Sequence, residues 1–117
     1  MWNANPNSII GISPFEVPDS AVVAALCRAG VLGVLDLGRD ERRARRALGA
    51  LAAEVSTSFG VRVPEGVEAS PTWLPPQASL VILPNSASMD SWRSLTIFVQ
   101  VTSVQEAQTA LAAGTAG

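Results

Sequence analysis

The sequence predicts an α/β fold, a partial (β/α)8 barrel with about five parallel strands and helices on the outside. Three observations carry this. Short apolar runs alternate with segments of helical periodicity throughout the chain. The runs are too continuous for a sheet with one wet face: VLGVLDL at 31–37 is what a strand covered on both faces looks like. And 117 residues fall well short of the roughly 250 that a closed barrel uses.

Residues 8–12 read as a first strand, stopped by Pro14. Pro18 and Asp19 open a helix with Asp19 or Ser20 as N-cap, and Val22, Val23, Leu26 and Ala29 recur at helical spacing. Gly30 stands where a helix takes its left-handed C′ residue, and the strand at 31–37 follows at once. A second helix spans about 40–55. Its apolar stripe is Ala44, Ala47, Leu48, Leu51 and Val55, with arginines on the other side and acidic residues in the first turn to suit the dipole. Residues 59–63 form a third strand. The segment 64–79 carries Pro71, Pro75 and Pro76 around Trp73, which bars a helix or a central strand and reads as a loop over one end of the barrel.

A fourth strand at 80–83 ends at Pro84, and a fifth occupies 95–101. Only residues 85–93 lie between them, leaving room for a single helical turn. Parallel neighbours normally need a dozen or so connecting residues, so an antiparallel hairpin is the expected way for the reading to fail. Ser103 then caps a last helix with Val104, Ala107 and Leu111, ended by Gly114. A β/α series that stops on a helix leaves its next strand unmade and an edge uncovered. The expectation is therefore one incomplete barrel segment over 1–117, an N-terminal half.

Composition narrows the chemistry. Apolar residues make up 48% of the chain and charged residues 15%, which excludes disorder over most of its length. A net charge of −2 argues against nucleic acid, whose phosphates need a clustered positive surface. The one cationic cluster is Arg42, Arg43, Arg45 and Arg46, beside Asp40 and Glu41, and reads first as a solvated helix face. Histidine, lysine and tyrosine are absent and all eight cations are arginine, which removes Schiff-base lysines and tyrosine acids. Cys27 is alone, so no internal disulfide or cysteine metal cluster exists, and within an apolar helical pattern it reads as a small core residue. No apolar run approaches the ~20 residues of a membrane span. Residues 1–7 lack the pattern of a signal peptide, so the expected location is cytoplasmic. Neither a G-x-G-x-x-G fingerprint nor a G-x-x-x-x-G-K loop is present, and no carboxylate and histidine cluster offers a metal site.

The stretch IIGISPFEVPDSAVVAALCRAGVLGVLDLG resembles the start of nitronate monooxygenase-like flavoproteins. There, a first strand ends near a proline (Pro14), a helix ends in an Ala-Gly pair (Ala29 and Gly30), and a glycine-containing strand follows (Gly33). FGVRV at 59–63 is similar to the family's third strand. VQVTSVQEAQTALAAGTAG at 99–117 is similar to its fifth strand and next helix. The likeness covers nearly all of the chain except the proline-rich segment. It implies a (β/α)8 barrel that binds FMN at the C-terminal strand ends and oxidises nitronates or reduces enoyl thioesters. The P-F-E-V-P-D loop and the arginine-only, alanine-rich composition resemble barrel segments of large polyketide synthase-type proteins. That implies neighbouring synthase domains, or the remainder of its own barrel, as partners.

By this resemblance Ser13, Pro14 and Phe15 lie in the first βα-loop against the flavin ring, Arg62 ends strand three, and Gln100 and Thr102 end strand five. Each also has a bland role: Ser13 as a turn cap, Thr102 at the helix start, Gln100 paired with backbone. Arg62 stands where the family often has asparagine, and is expected to pair with a phosphate or with a carboxylate such as Glu65. Asp36, near the end of strand two, is placed like a barrel site group but reads better as a cap for the second helix. No residue of this chain is expected to be catalytic. The family's catalytic histidine and its phosphate-binding glycine loops would lie beyond Gly117, so FMN binding by the isolated chain is expected to be feeble or absent. The competing expectation is a degenerate, non-catalytic barrel segment with a structural or docking role in a polyketide synthase-type protein.

Overall fold

The computed structural model describes residues 9–101 together with Gln105, Gln108 and Ala112. Five strands run in the order β1 (Ile10–Ile12), β2 (Leu32–Asp36), β3 (Phe59–Arg62), β4 (Ala78–Pro84) and β5 (Thr96–Gln100), each paired in parallel with the next. Helix α1 (Ser20–Arg28) joins β1 to β2, and α2 (Glu41–Glu54) joins β2 to β3. The architecture is a curled, all-parallel α/β sheet, a half-barrel with its helices on one side. Among the described residues no helix is long and apolar enough to cross a membrane.

Local chemistry sets the helix ends. Asp19 caps α1 by accepting the Val22 N–H, and Asp40 caps α2 by accepting those of Arg42 and Arg43. At the other end of α1, Gly30 takes φ +82°. Its N–H donates to the Cys27 carbonyl while that of Val31 donates to Leu26, the paired Schellman bonds that let the chain turn straight into β2.

The alternation of the strands builds two apolar layers. On the helix side Leu35, Phe59, Val61, Val81, Leu83 and Ile97 pack with Val23 and Ala24 of α1 and with Ala44, Ala47, Leu48, Leu51 and Val55 of α2. On the concave side Leu32, Val34 and Leu80 form a second cluster with Ile10, Ile82 and Phe98. The α2 stripe is the expected one. The α1 stripe is rotated: Val22 is exposed and Ala29 lies outside the helix. Val23 faces inward as expected, joined by Ala24 and Cys27, because α1 packs against both the sheet and α2.

The connection between β4 and β5 does not produce a hairpin. Pro84 pairs with Gln100 and Leu80 with Thr96 in parallel. The intervening residues include one 3-10 turn, Asp90–Trp92, that buries Trp92 against the outer core. The proline-rich segment acts likewise: a 3-10 turn at Pro71–Trp73 brings Trp73 and Leu74 onto the same core. Bulky side chains on irregular backbone thus cover strands that a crossover helix would otherwise cover. Strand β4 also starts two residues earlier than its apolar run, at Ala78. Residue 8 and most of the helix expected after Ser103 lie outside the described residues; Gln105, Gln108 and Ala112 are helical.

Two glycines should respond oppositely to alanine. A Cβ at Gly33 would lie 2.8 Å from Val23 Cγ1 and 2.9 Å from the Val23 carbonyl oxygen, so Gly33→Ala should force α1 off β2 and cost about 1–3 kcal/mol. A Cβ at Gly49, inside α2, meets nothing within 4 Å, so Gly49→Ala should stabilise by about 0.5–1 kcal/mol. Urea denaturation midpoints measure both.

Candidate functional site at the barrel mouth

The C-terminal ends of four strands converge on one polar cluster. Asp36 ends β2, a strand buried along its whole length, and is itself only 2% exposed. A buried carboxylate must be fully bonded or paired, and this one is. Its Oδ2 accepts from Arg62 Nη1 at 2.6 Å, its Oδ1 accepts the Gly38 N–H at 2.9 Å, and its own backbone N–H donates to Ser13 Oγ at 2.9 Å. Asp36 and Arg62 stand opposite each other in the β2–β3 register. Arg62 then reaches across the concave face, past β4, to the Gln100 side-chain oxygen at 3.1 Å from Nε and 3.0 Å from Nη2. Curling of the sheet is what lets a β3 side chain touch β5.

A second clamp lies on the rim. The backbone after β1 takes φ +62° at Phe15 and +53° at Glu16, a left-handed conformation that side-chain-bearing residues rarely adopt. It is held by Arg39, which bonds Glu16 at 3.0 and 3.3 Å and the Glu65 carbonyl oxygen at 2.9 Å. Gly38, at φ +66°, passes beneath; a Cβ there would sit 2.8 Å from the Glu16 carbonyl oxygen. The hydrogen bond from Arg39, reinforced by the charges of Arg39 and Arg62, holds the Glu16 carboxyl below its ordinary pKa, and the same bond raises that of Arg39. The loop projects Phe15 into solvent, 92% exposed.

Of the residues singled out in the sequence, Ser13, Arg62 and Gln100 are brought together around Asp36. Pro14 and Phe15 sit exposed on the neighbouring loop, and Thr102 lies outside the described residues. Two expectations are corrected. Asp36 does not cap the second helix, since Asp40 does; with its cation in the next strand, it stays at the mouth. Arg62 does pair with a carboxylate, one of its two expected partners, but that carboxylate is Asp36 and not Glu65, whose backbone carbonyl goes to Arg39 instead. The Arg39–Glu16 clamp was not foreseen. The available signal for the inner pair was a charge ending an otherwise apolar strand in VLGVLDL and a second ending FGVRV. In parallel neighbours of matched length those two ends meet.

Two clefts open on the helix side of this end, either side of residues 66–68. One, of about 370 Å3, runs between Trp73 and the start of α2. The other, of about 560 Å3, lies between Val67 and the serines Ser86, Ser88 and Ser91. Neither is lined by Ser13, Asp36, Arg62 or Gln100, although the first shares Gly38 and Arg39 with the rim. Among the described residues no group of three metal-ligating side chains occurs.

The fold and this mouth define a half-barrel of the β/α class with its polar cluster at the strand ends where such barrels carry their sites. No family model, curated protein or solved structure matches the chain.

Removing Asp36 would strand the Arg62 guanidinium. Asp36→Ala should cost about 3 kcal/mol, the low end for breaking a buried pair because Arg62 keeps some access to water; a urea midpoint unchanged from the parent would refute the pairing. The rim clamp is acid-sensitive. Because the folded Glu16 pKa is lowered, its contribution is fully present above the ordinary glutamate value and is lost as pH falls through the lowered one. Hydrogen-exchange protection of the Val17 amide, bonded to the Pro14 carbonyl, should therefore fall only below the ordinary carboxylate range. Arg39→Ala should lower it at neutral pH and remove its dependence on acid.

Proposed function

We propose that this chain is the N-terminal half of a cytoplasmic FMN-dependent (β/α)8 oxidoreductase of the nitronate monooxygenase or enoyl reductase kind, inactive by itself. The observation that carries the reading is Arg62, fixed at the mouth by Asp36 and Gln100 beside the exposed Pro14–Phe15 loop. A guanidinium has five N–H donors. Three are engaged by Asp36 and Gln100, leaving two for a ligand, and the Gln100 amide nitrogen adds donors next to them. Convergent donors at the mouth suit the polar edge of a flavin ring. They do not suit its phosphate, which needs backbone N–H groups at a helix N-terminus or glycine loop. The residues thus fit the ring and leave the phosphate to further β/α units. Bound FMN would supply the redox chemistry; Arg62, Gln100 and Phe15 would orient the ring and exclude water from one face.

Incompleteness is supported by where apolar surface is left open. Among the described residues the exposed large apolar side chains are Ile9, Ile12, Phe15, Val17 and Val22. All lie on β1, the segments flanking it and α1, along a sheet edge with no strand beyond it. Large apolar side chains left exposed on one side of the sheet suit a contact site, and an unpaired edge needs a cover. The remainder of the barrel is the partner that reading calls for.

A second reading, a non-catalytic barrel segment with a structural or docking role among polyketide synthase-type domains, is favoured by one observation. The charge of Arg62 is already balanced by Asp36, which weakens its pull on an anion.

Titrating FMN into the 117-residue chain and following flavin fluorescence separates them. The flavin reading expects saturable binding weaker than about 1 µM, because the phosphate contacts are missing. Arg62→Lys, which keeps the ion pair and removes the fork, should weaken it roughly tenfold. Binding tighter than about 1 µM would contradict the half-site, and no saturable binding at all would leave the structural reading.

A further inference from the structure

We propose that the outer face of α2 is a docking surface for an acidic segment of a partner protein, seated between Arg43 and Arg46 and the first turn of α1. Five of the eight arginines are tied to carboxylates within the chain: Arg28 to Glu54, Arg39 to Glu16, Arg45 to Glu41, Arg62 to Asp36 and Arg93 to Asp90. The remaining three, Arg42, Arg43 and Arg46, are exposed and share one helix.

Their position works against the helix that carries them. Arg42 and Arg43 occupy its first turn, where the dipole disfavours cations, and Arg42 and Arg46 stand four residues apart, where like charges repel. A face kept only for solubility would place its cations at the other end; α2 instead has Glu54 there. Charge held against local stability points to a ligand of opposite sign.

The shape agrees. A groove of about 240 Å3 is bounded by Arg43 and Arg46 on one side and by Pro18 and Ser20 on the other, with Ala47 and Ala50 between. That is below the ~300 Å3 at which small-molecule sites begin, so it takes a side chain and not a cofactor. Two guanidinium forks one turn apart suit carboxylates, which they bind bidentately, and the alanines and Pro18 suit the methylenes of glutamate. Three arginines without a carboxylate partner among the described residues, on a chain of net charge −2, give too few phosphate contacts for nucleic acid. The groove adjoins the rim through Pro18, but neither Arg62, Gln100 nor Phe15, which carry the flavin reading, lines it, so it stands or falls independently of that reading.

The experiment is a fluorescence anisotropy titration of a labelled hexaglutamate peptide with the 117-residue chain, with thermal unfolding alongside. Binding should weaken with salt, fall by about tenfold or more in Arg43→Glu/Arg46→Glu, and fall by a smaller factor in Arg43→Lys/Arg46→Lys, which keeps charge without the fork. The charge-reversed variant should unfold at the same or a higher temperature than the parent, since it relieves the dipole conflict; a merely structural role would lower it. The proposal is overturned if the charge-reversed chain binds the peptide as the parent does, or unfolds at a lower temperature. It is equally overturned if single-stranded DNA or phosphatidylserine vesicles bind more tightly than the peptide.

Discussion

A carboxylate at the end of a fully buried strand has to find a cation, and most of this mouth follows from how Asp36 does so. Its partner stands directly opposite on β3, so the pair exists only while β2 and β3 are parallel and in this register. A slip of one residue in either strand would turn that strand's charge to the helix side, among Leu35, Val61 and Leu48, and leave the other unpaired. The pair therefore specifies register as well as neutralising charge. It also orients what surrounds it: the Asp36 N–H fixes Ser13, its side chain fixes the turn at Gly38, and Arg62 fixes Gln100.

That turn links the inner pair to the rim. Gly38 lets the chain pass under the Glu16 carbonyl, and Arg39, the next residue, closes on Glu16 and Glu65. The loops after β1, β2 and β3 are thereby tied to one another through a single residue at the start of the α2 approach. Two consecutive left-handed residues cost on the order of 1–3 kcal/mol each, and such a conformation persists where its surroundings over-determine it. Here an exposed ion pair shares that task with packing against Gly38 and Pro18. An exposed pair alone contributes little, so the packing beneath carries more of the restraint, while the charges select the rim geometry at neutral pH.

The fold class was legible because burial on both faces leaves its mark on composition: β2 is apolar at every position up to Asp36, and only a parallel sheet between two layers asks for that. The helix ends were legible because Asp19, Asp40 and Gly30 do at the backbone what those residue types do anywhere. What escaped was pairwise. Whether Arg62 meets Asp36, Glu65 or a ligand depends on register and curl, which no single segment encodes. The rotation of α1 escaped for a similar reason: Val22 and Val23 are equally apolar, and the choice between them is made by α2, a neighbour whose angle the α1 sequence does not contain. The β4–β5 connection looked too short for a parallel crossover because a helix was assumed necessary, whereas one buried tryptophan covers the strands.

The arginines divide by what surrounds them. Where a guanidinium reaches the sheet ends, as at positions 39 and 62, low exposure or a converging backbone supplies several acceptors, and the side chain becomes a tie between loops. Around Arg43 and Arg46 no such acceptors converge, because the inward face of α2 is committed to Ala44, Ala47, Leu48 and Leu51 and the groove beside the two guanidiniums is bounded by Pro18 and Ser20, which carry no carboxylate. A partner with carboxylates would give Arg43 and Arg46 what the fold gives Arg39 and Arg62. Completion of the barrel would not, since further strands and helices would add at the sheet edges and leave the outer surface of α2 where it is.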